Sequence, residues 1–415
     1  MRFLLPDLVF HAGALRGGLA VDLDGGVVPA EGIAGERLTG KALLPGFVNA
    51  HSHAFQRGLR GHVQHADGPD SFWTWRERMY HLANALDPDG IEAVSALAFL
   101  EMLRAGFTSV GEFHYLHHQP DGTPYADPDE LARRVLAAAA SVGIRVRLLR
   151  VAYARAGFGS AANPLQRRFI DRSPDDVLAA CERLGAGLAP HSVRACPADW
   201  LRAFAGFPGV VHAHVDEQPA EIEASLREHG ARPLRVFGEL VGPRFSAVHF
   251  THADADERAL LAERGANVVV CPTTELDLGD GFFDPRGVAR MSVGTDSHAQ
   301  IDPFAEVRAL ELHARALTGR RNVLPHAGAD GLAARLVEIG TDASCLALDT
   351  RGDWIAVDVG DVALAGARLL PAIVFAGARV TDTWVGGRRV IAGGRHPGER
   401  AIVERAEAAL RATGI

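Results

Sequence analysis

The chain has 415 residues, of which 47% are hydrophobic and 23% are charged, a composition that excludes extensive disorder. Its net charge of −8 argues against a nucleic-acid backbone as the main partner, and no apolar run approaches the ~20 residues of a membrane span. The four cysteines form no CxxC pair and the apolar start lacks a small-residue cleavage site. We therefore expect a reduced, cytoplasmic protein without a signal peptide.

Short apolar segments separated by glycines occupy both ends of the chain, and this pattern is typical of small strands joined by tight turns. We expect residues 1–43 and 350–415, the latter ending in a helix, to combine into one small β-sandwich domain. Residues 44–349 would then form a separate, larger domain of the α/β class.

Eight apolar runs alternate with helical patterns in that larger domain, and seven of them close on a cluster containing His, Asp or Glu. Buried parallel strands read as such continuous runs. We therefore predict a (β/α)8 barrel of the TIM type, whose active site lies at the carboxyl ends of the strands. A doubly wound open sheet is the alternative, but no GxGxxG turn supports it. In chain order, the runs are ALLPGFVNAH, FTSVGEFHY, IRVRLLRVAY, GAGLAPHS, GVVHAHVDE, AVHFTHAD, NVVVCPTTE and MSVGTDSH.

Imidazoles and a carboxylate gather where these runs end. The first run closes on His51-Ser52-His53, whose two imidazoles share one face of a strand because side chains alternate. Alone, this HxH could equally be two structural histidines. The fifth run ends in HAHVDE, the sixth in HFTH and the eighth in GTDSH. Three imidazoles and one carboxylate form a suitable set for zinc with an open position for water.

The chain also offers arginines that could hold an acidic substrate. Arg76 lies in the long connection from residue 55 to about 85, Arg194 follows the fourth run, and Tyr115 follows the second. Arginine forks bind carboxylates bidentately. Two arginines with a tyrosine predict a small-molecule dicarboxylate as the substrate, although any one arginine could instead be a solvated surface group.

The motifs PGFVNAHSHAFQRGLRG, HAHVDEQ, a His after the sixth run, and GTDSH resemble the amidohydrolase superfamily in its mononuclear zinc deaminase branch. The resemblance implies that His51, His53, His214 and Asp296 hold one zinc ion per subunit, with His212 an inward-facing barrel residue. Binuclear members bridge two metals with a lysine from the fourth strand. The only lysine here, Lys41, precedes the first barrel strand, which favours one metal.

A zinc ion would lower the pKa of a bound water towards ~7 and so provide hydroxide for attack. We expect Asp296 to accept the proton of this water, His252 to hold the water, and Glu217 to carry the proton to the leaving nitrogen. His298 has two interpretations, a partner that orients Asp296 or a loop cap. The same ligands would also accept iron or another divalent metal.

A narrower resemblance lies in AHSHAFQRGLRG, SFWTWRERMY, GEFHYLHH, PHSVRA and HVDEQPAEIE, which are similar to the N-formimidoyl-L-glutamate deiminase family of histidine degradation. It implies hydrolysis of a formimidoyl C=N to an N-formyl group and ammonia by a homodimeric enzyme. It places Gln56 and His191 near the formimidoyl end, and Arg76, Tyr115 and Arg194 at the carboxylates. Arg78 competes with Arg76 because both lie in one segment.

Two other functions remain open at this point. The first is a related deaminase that acts on a guanine-type base, another aminated heterocycle or another formimidoyl amino acid. The second is a barrel without catalysis, kept as a scaffold, although an intact ligand set argues against it.

Overall fold

The computed structural model of the chain describes residues 2–65, 72–324, 327–328 and 330–414, and their side chains except those of Phe72 and Trp73. Residues 66–71 of the long connection, including Ser71 of the SFWTWRERMY motif, lie outside the described residues.

Eight parallel strands form the central barrel, in spatial order that follows the chain. Each of the eight apolar runs supplies one strand, and nearly every residue in them is buried, so the predicted TIM-like barrel is confirmed. The barrel strands are β6 (Phe47–Ser52), β7 (Phe107–His114), β8 (Arg145–Ala152), β9 (Gly187–Pro190), β10 (Val211–Val215), β11 (Phe245–His249), β12 (Asn267–Val270) and β13 (Met291–Val293).

The barrel closes through backbone contacts between β6 and the segment that follows β13. The backbone N–H of Asp296 donates to His51 O at 3.0 Å, and that of His53 donates to Asp296 O at 3.1 Å. Gly294 allows this approach because a Cβ there would lie 2.8 Å from backbone atoms of His51. The seam therefore brings the first and last predicted metal-ligand segments together.

The two chain ends pair into a second sheet, as expected, and its eight strands are hydrogen-bonded into one sheet, whereas the sequence analysis predicted a sandwich. Its central strands come from both ends, because β5 pairs with β1 on one side and with β14 on the other. The strands are β1 (Phe3–His11), β2 (Ala14–Arg16), β3 (Leu19–Asp22), β4 (Gly26–Pro29), β5 (Glu36–Pro45), β14 (Trp354–Asp358), β15 (Val380–Val385) and β16 (Arg388–Ile391).

Gly46 is the point where the chain passes from this sheet into the barrel. The first apolar run is divided here, with its beginning in β5 and its end in β6. A Cβ at Gly46 would lie 2.3 Å from the Thr108 side chain, so a residue without a side chain is needed.

The helices mostly follow barrel strands and pack around them. Common capping residues mark the helix ends. For example, α2 begins after Asp87, whose side chain accepts from Gly90 N, and ends at Gly106, which has a φ of 113°. Within the described residues, no helix is both long and apolar enough to cross a membrane. The helices are α1 (Phe72–Ala85), α2 (Pro88–Ala105), α3 (Glu130–Val142), α4 (Pro174–Leu184), α5 (Ala198–Ala203), α6 (Pro219–His229), α7 (Pro233–Phe237), α8 (Ala255–Glu263), α9 (Pro272–Asp277), α10 (Pro303–Thr318), α11 (Gly331–Thr341), α12 (Leu369–Ala372) and α13 (Glu399–Thr413).

Candidate metal centre and active site

Four buried side chains converge at the carboxyl ends of β6 and β10 and just after β13. His51 Nε2 lies 3.2 Å from His53 Nε2 and 3.2 Å from His214 Nε2. Asp296 Oδ1 lies 3.1 Å from the Nε2 atom of both His51 and His53. These four residues form a candidate metal-binding group whose ligand atoms all lie within 4.8 Å of one another.

The spacing of these atoms fits one ion. Tetrahedral ligands at ~2.0–2.1 Å from a zinc ion stand about 3.3–3.4 Å apart, close to the separations observed. The imidazole tautomers also fit, since His53 Nδ1 donates to Phe113 O at 3.0 Å and His214 Nδ1 donates to His191 O at 3.0 Å. A carbonyl can only accept, so each Nε2 turns a lone pair towards the common point.

The protonation states of the group suit a cation. Burial lowers the pKa of His51 to about 3, and burial together with the neighbouring histidines lowers that of His214 well below its usual value. Burial alone would raise the pKa of Asp296, but the adjacent His51 and His53 side chains outweigh this and hold it well below its usual value. Neutral imidazoles and an ionised carboxylate are the forms that bind metals.

His249, the last residue of β11, also faces this centre. Its ring is stacked on that of His214 with the centroids 5.3 Å apart, and its Nε2 lies 3.8 Å from Glu217 Oε1. Its Nδ1 lies 3.4 Å from Glu275 Oε1, and Glu275 is held in turn by the backbone N–H of Cys271 at 2.9 Å. Burial alone would lower the pKa of His249, but the surrounding carboxylates raise it to about 10. A divalent cation beside it would lower that pKa again.

The position of His249 corrects the sequence prediction that His252 holds the water. His252 is half-buried, and its Nε2 lies 2.8 Å from Asp280 O, whereas the His249 ring is stacked on that of His214. The physical reason is a sharp turn: the backbone is left-handed at His249 and Phe250, with φ of 69° and 56°, so the chain leaves the barrel before residue 252. His249 ends its strand directly, and that position was the signal that could have identified it.

Glu217 lies directly beyond the metal group, bound to Arg194. Arg194 Nη2 donates to Glu217 Oε2 at 2.8 Å, and its Nε lies 3.2 Å from Glu221 Oε1. All three side chains are buried. Burial raises the pKa of Glu221 to about 7, although Arg194 opposes the shift. Glu221 is a functional candidate that the sequence analysis did not single out.

A cavity opens onto the metal group and brings together the remaining predicted residues. It is lined by Gln56, Arg76, Tyr115, His191, Arg194 and Glu217, together with His53, His214 and Asp296. Gln56 Nε2 donates to the Tyr115 hydroxyl at 2.8 Å, which fixes both side chains.

For two roles the sequence offered two neighbouring residues each, and the structure shows which one faces the site. Arg76 lines the cavity, whereas Arg78 is exposed and donates to His62 O at 2.5 Å. His214 belongs to the metal group, whereas His212 Nε2 donates to Cys345 O at 2.9 Å, away from it. The Arg76 and His214 positions are the ones that face the site.

A directed chain of hydrogen bonds lies beneath the metal group and includes His298. Ser52 Oγ donates to Glu112 Oε2 at 2.6 Å, so its oxygen accepts from His298 Nε2 at 3.0 Å. His298 Nδ1 then accepts from Thr295 Oγ1 at 2.9 Å. Glu112 Oε1 also accepts from Ala54 N at 2.8 Å, and burial raises the pKa of Glu112 to about 7. This chain ties together the segments that carry His51, His53 and Asp296.

The fold and this site define the class of the protein. The model of the amidohydrolase family matches residues 42–390, and the chain belongs to that family. It is an enzyme of the hydrolase class that acts on C–N bonds.

The more specific similarity is to formimidoylglutamate deiminase of Pseudomonas aeruginosa, with 40% identity over 407 residues, covering 89% of each chain. Among solved structures, an amidohydrolase from Brucella melitensis covers 100% of both chains with 33% identity and a TM-score of 0.90. An adenosine deaminase from Xanthomonas campestris, solved with bound zinc, has 23% identity and a TM-score of 0.81, covering 100% of this chain and 98% of its own.

Proposed function

We propose that the chain is a deiminase that hydrolyses N-formimidoyl-L-glutamate to N-formyl-L-glutamate and ammonia, a step of histidine degradation. The observation that carries this proposal is a single cavity with a four-donor metal group at one side and two arginines, Arg76 and Arg194, among its other lining residues. A neutral nucleobase would need no such cations, whereas a substrate with two carboxylates does. The 40% identity to formimidoylglutamate deiminase supports the same substrate.

We propose zinc as the metal, held by His51, His53, His214 and Asp296. Three imidazoles and one carboxylate are a donor set that zinc accepts, and a zinc-containing relative of the same fold supports the choice. When bound, zinc would supply a Lewis acid that activates water at neutral pH.

In the reaction, HN=CH–NH–R and water give O=CH–NH–R and ammonia: the water oxygen adds to the formimidoyl carbon, the bond from that carbon to the terminal nitrogen breaks, and both hydrogens of the water end on the nitrogen that leaves. Asp296 turns one carboxylate oxygen to the metal group and is placed to accept the proton of the water. Glu217 lies between His249 and Arg194, where it is placed to pass a proton to the leaving nitrogen. His249, whose Nδ1 lies 3.4 Å from Glu275 Oε1, would turn its Nε2 to the same region and donate a hydrogen bond to the water or to the intermediate.

The substrate would extend from the metal group towards the arginines. We assign Gln56 and His191 to the formimidoyl end, because Gln56 is fixed by Tyr115 and the His191 ring stands 4.7 Å from that of His214. We assign Arg76, Tyr115 and Arg194 to the carboxylates. Arg194 is a buried cation that lines this part of the cavity, which suits it to an acidic group of the substrate.

An ammonia-release assay on N-formimidoyl-L-glutamate, run beside guanine, cytosine and N-formimidoyl-L-aspartate, tests the proposal. We expect turnover of the first compound and none of the two bases. Arg76→Ala should reduce kcat/KM on the acid by at least about tenfold, since hydrogen bonds to charged groups are strong. The matched control is Arg78→Ala in the same helix, which should behave as the parent. Turnover of a base, or a purified protein that takes up no metal, would overturn the assignment.

A further inference from the structure

The cavity contains two tyrosines that the proposed reaction leaves without a role. Three of the four tyrosines in the sequence line it, namely Tyr80, Tyr115 and Tyr153. Tyr80 lies in α1 and Tyr153 directly follows β8, and both are buried. Such a concentration of one residue type at one cavity points to hydroxyl groups that serve a ligand.

A single buried glutamine holds this pair. Gln166 Nε2 donates to the Tyr80 hydroxyl at 3.0 Å and to the Tyr153 hydroxyl at 3.1 Å. Its orientation is set by Asn163, whose backbone N–H donates to Gln166 Oε1 at 3.2 Å. Because a backbone N–H can only donate, Oε1 must face Asn163 and the amide NH2 must face the tyrosines.

This arrangement makes the tyrosines donors towards the cavity. Both hydrogens of the Gln166 amide are used, one for each tyrosine, so each hydroxyl oxygen accepts and keeps its own hydrogen to give. At most one of the two O–H groups can turn to the oxygen of the other tyrosine. At least one O–H therefore finds no acceptor within this cluster, and it is available to donate to a molecule in the cavity.

The pair stands on the arginine side of the cavity and away from the metal group. The Arg76 guanidinium carbon lies 5.7 Å from the centroid of the Tyr80 ring. The Tyr153 ring lies 4.8 Å from that of His191, which separates it from the metal ligand His214. A cation beside hydroxyl donors is a setting that favours a carboxylate.

We propose that Tyr80 and Tyr153, oriented by Gln166, form a second carboxylate subsite that binds the side-chain carboxylate of the substrate. The inference rests on the proposed function, because it takes the substrate to carry two carboxylates. The α-carboxylate is attached through Cα to the internal nitrogen, next to the reacting formimidoyl carbon, and must lie near the metal group. The side-chain carboxylate lies at the far end of a flexible chain, where the tyrosine pair stands, and Gln166 acts as a positioning residue.

The test compares two substrates on hydroxyl-deleted variants. Tyr80→Phe and Tyr153→Phe each remove one oxygen, and Tyr125→Phe removes the hydroxyl of the fourth tyrosine, which accepts from Arg168 outside the cavity. The substrates are N-formimidoyl-L-glutamate and N-formimidoyl-L-glutamine, in which a neutral amide replaces the side-chain carboxylate.

We expect at least one of Tyr80→Phe and Tyr153→Phe to raise KM for the glutamate substrate by about tenfold or more, the usual effect of losing a hydrogen bond to a charged group. Values of kcat should stay within about threefold, because binding and not chemistry is affected. KM for the glutamine substrate should not change, and Tyr125→Phe should match the parent for both. Gln166→Met, of similar volume, should produce the same substrate-dependent rise in KM.

A KM that is unchanged in both tyrosine variants would overturn the subsite, as would an equal rise for the two substrates, which is the result expected of a purely structural role. Thermal unfolding of each variant distinguishes a folding defect from lost binding. The ratio of the inhibition constants of glutarate, a dicarboxylate, and butyrate, a monocarboxylate, gives a second measure of carboxylate binding in the single variants. Failure of the parent enzyme to hydrolyse N-formimidoyl-L-glutamate would instead overturn the proposed function, and this inference with it.

Discussion

Arg194 and Glu217 are joined by a hydrogen bond of 2.8 Å, so one arginine links the residue proposed to move a proton with the end of the cavity proposed to bind carboxylates. Substitution of Arg194 should therefore affect chemistry and binding together. We expect Arg194→Gln to lower kcat and raise KM, with a combined loss in kcat/KM on the order of 10²-fold.

Arg76→Gln provides the comparison, because Arg76 lines the same cavity and the bond to Glu217 Oε2 described above is made by Arg194. Its effect should fall mainly on KM. Steady-state kinetics of both variants on N-formimidoyl-L-glutamate measure the difference. A change in KM alone for Arg194→Gln would show that the bond to Glu217 has no part in the chemistry.

His249 and His252 form a natural pair for mutation, since they are three residues apart and only His249 faces the metal group. We expect His249→Asn to reduce kcat by at least about 10²-fold, the usual contribution of a positioned acid–base group. His252→Asn should reduce it by less than about tenfold, because the ring Nε2 is bonded to a backbone carbonyl, that of Asp280. The opposite ranking of the two variants would restore the role that the sequence assigned to His252.

Glu112 should control metal affinity without touching the metal. It holds Ser52 and Ala54, the neighbours of His51 and His53, so Glu112→Gln should loosen the metal group and weaken zinc binding by about 10–100-fold. Competition with a chromophoric chelator measures this affinity directly.

The control is Glu306→Gln. Glu306 is another fully buried carboxylate that accepts from a backbone N–H and a hydroxyl, both of Thr273. Equal losses of affinity in the two variants would mean that any buried carboxylate has this effect, and the specific role of Glu112 would be lost.

Removal of the metal should destabilise the fold as well as abolish activity. Three imidazoles and a carboxylate are buried with their lone pairs directed at one point, and a ligand present at 1,000 times its Kd stabilises the native state by about 4 kcal/mol. Treatment with a chelator should lower the melting temperature, and added zinc should restore both stability and turnover. His214→Ala should be insensitive to the chelator, and a parent protein equally insensitive would contradict the metal site.

Acid should destabilise the protein through its buried neutral histidines. Burial lowers the pKa of His212 to about 4, so between pH 6.5 and 4 the unfolded chain binds a proton at this position that the folded chain does not. Stability is therefore lost as the pH falls through this window, by up to about 3 kcal/mol for this one group.

His212→Gln removes the titrating group and keeps a donor for Cys345 O. Its melting temperature should fall less between pH 7 and 5 than that of the parent protein. His11→Gln, at an exposed position, should leave the acid sensitivity unchanged. An equal drop for all three proteins would exclude His212 as a source of the sensitivity.

Much of the fold was predictable because the barrel is built from local signals. Most barrel strands are rich in apolar residues, since a parallel strand covered on both faces admits few polar ones, and polar groups collect where the runs end. The pair His51 and His53 and the segment GTDSH were visible for the same reason. Side chains alternate between the two faces of a strand, so residues two apart place both imidazoles on one face. The carboxyl ends of the barrel strands all meet at one rim.

The choices between neighbouring candidates were not predictable in this way. A left-handed turn separates His249 from His252, and about half a helical turn separates Arg76 from Arg78. In each pair, the local direction of the backbone determines which side chain points into the site. Sequence spacing carries too little information about such local directions.

By itself, the sequence determined the class of fold, the rim at which the site would form and the kinds of side chain present there, because hydrophobic periodicity and strand polarity are local properties of the chain. Only the tertiary structure decided that His249 faces the metal group, that Glu275 and Glu112 support it, and that Gln166 turns two tyrosines towards the cavity. These contacts join residues from different strands and loops, and their geometry exists only once the barrel has closed.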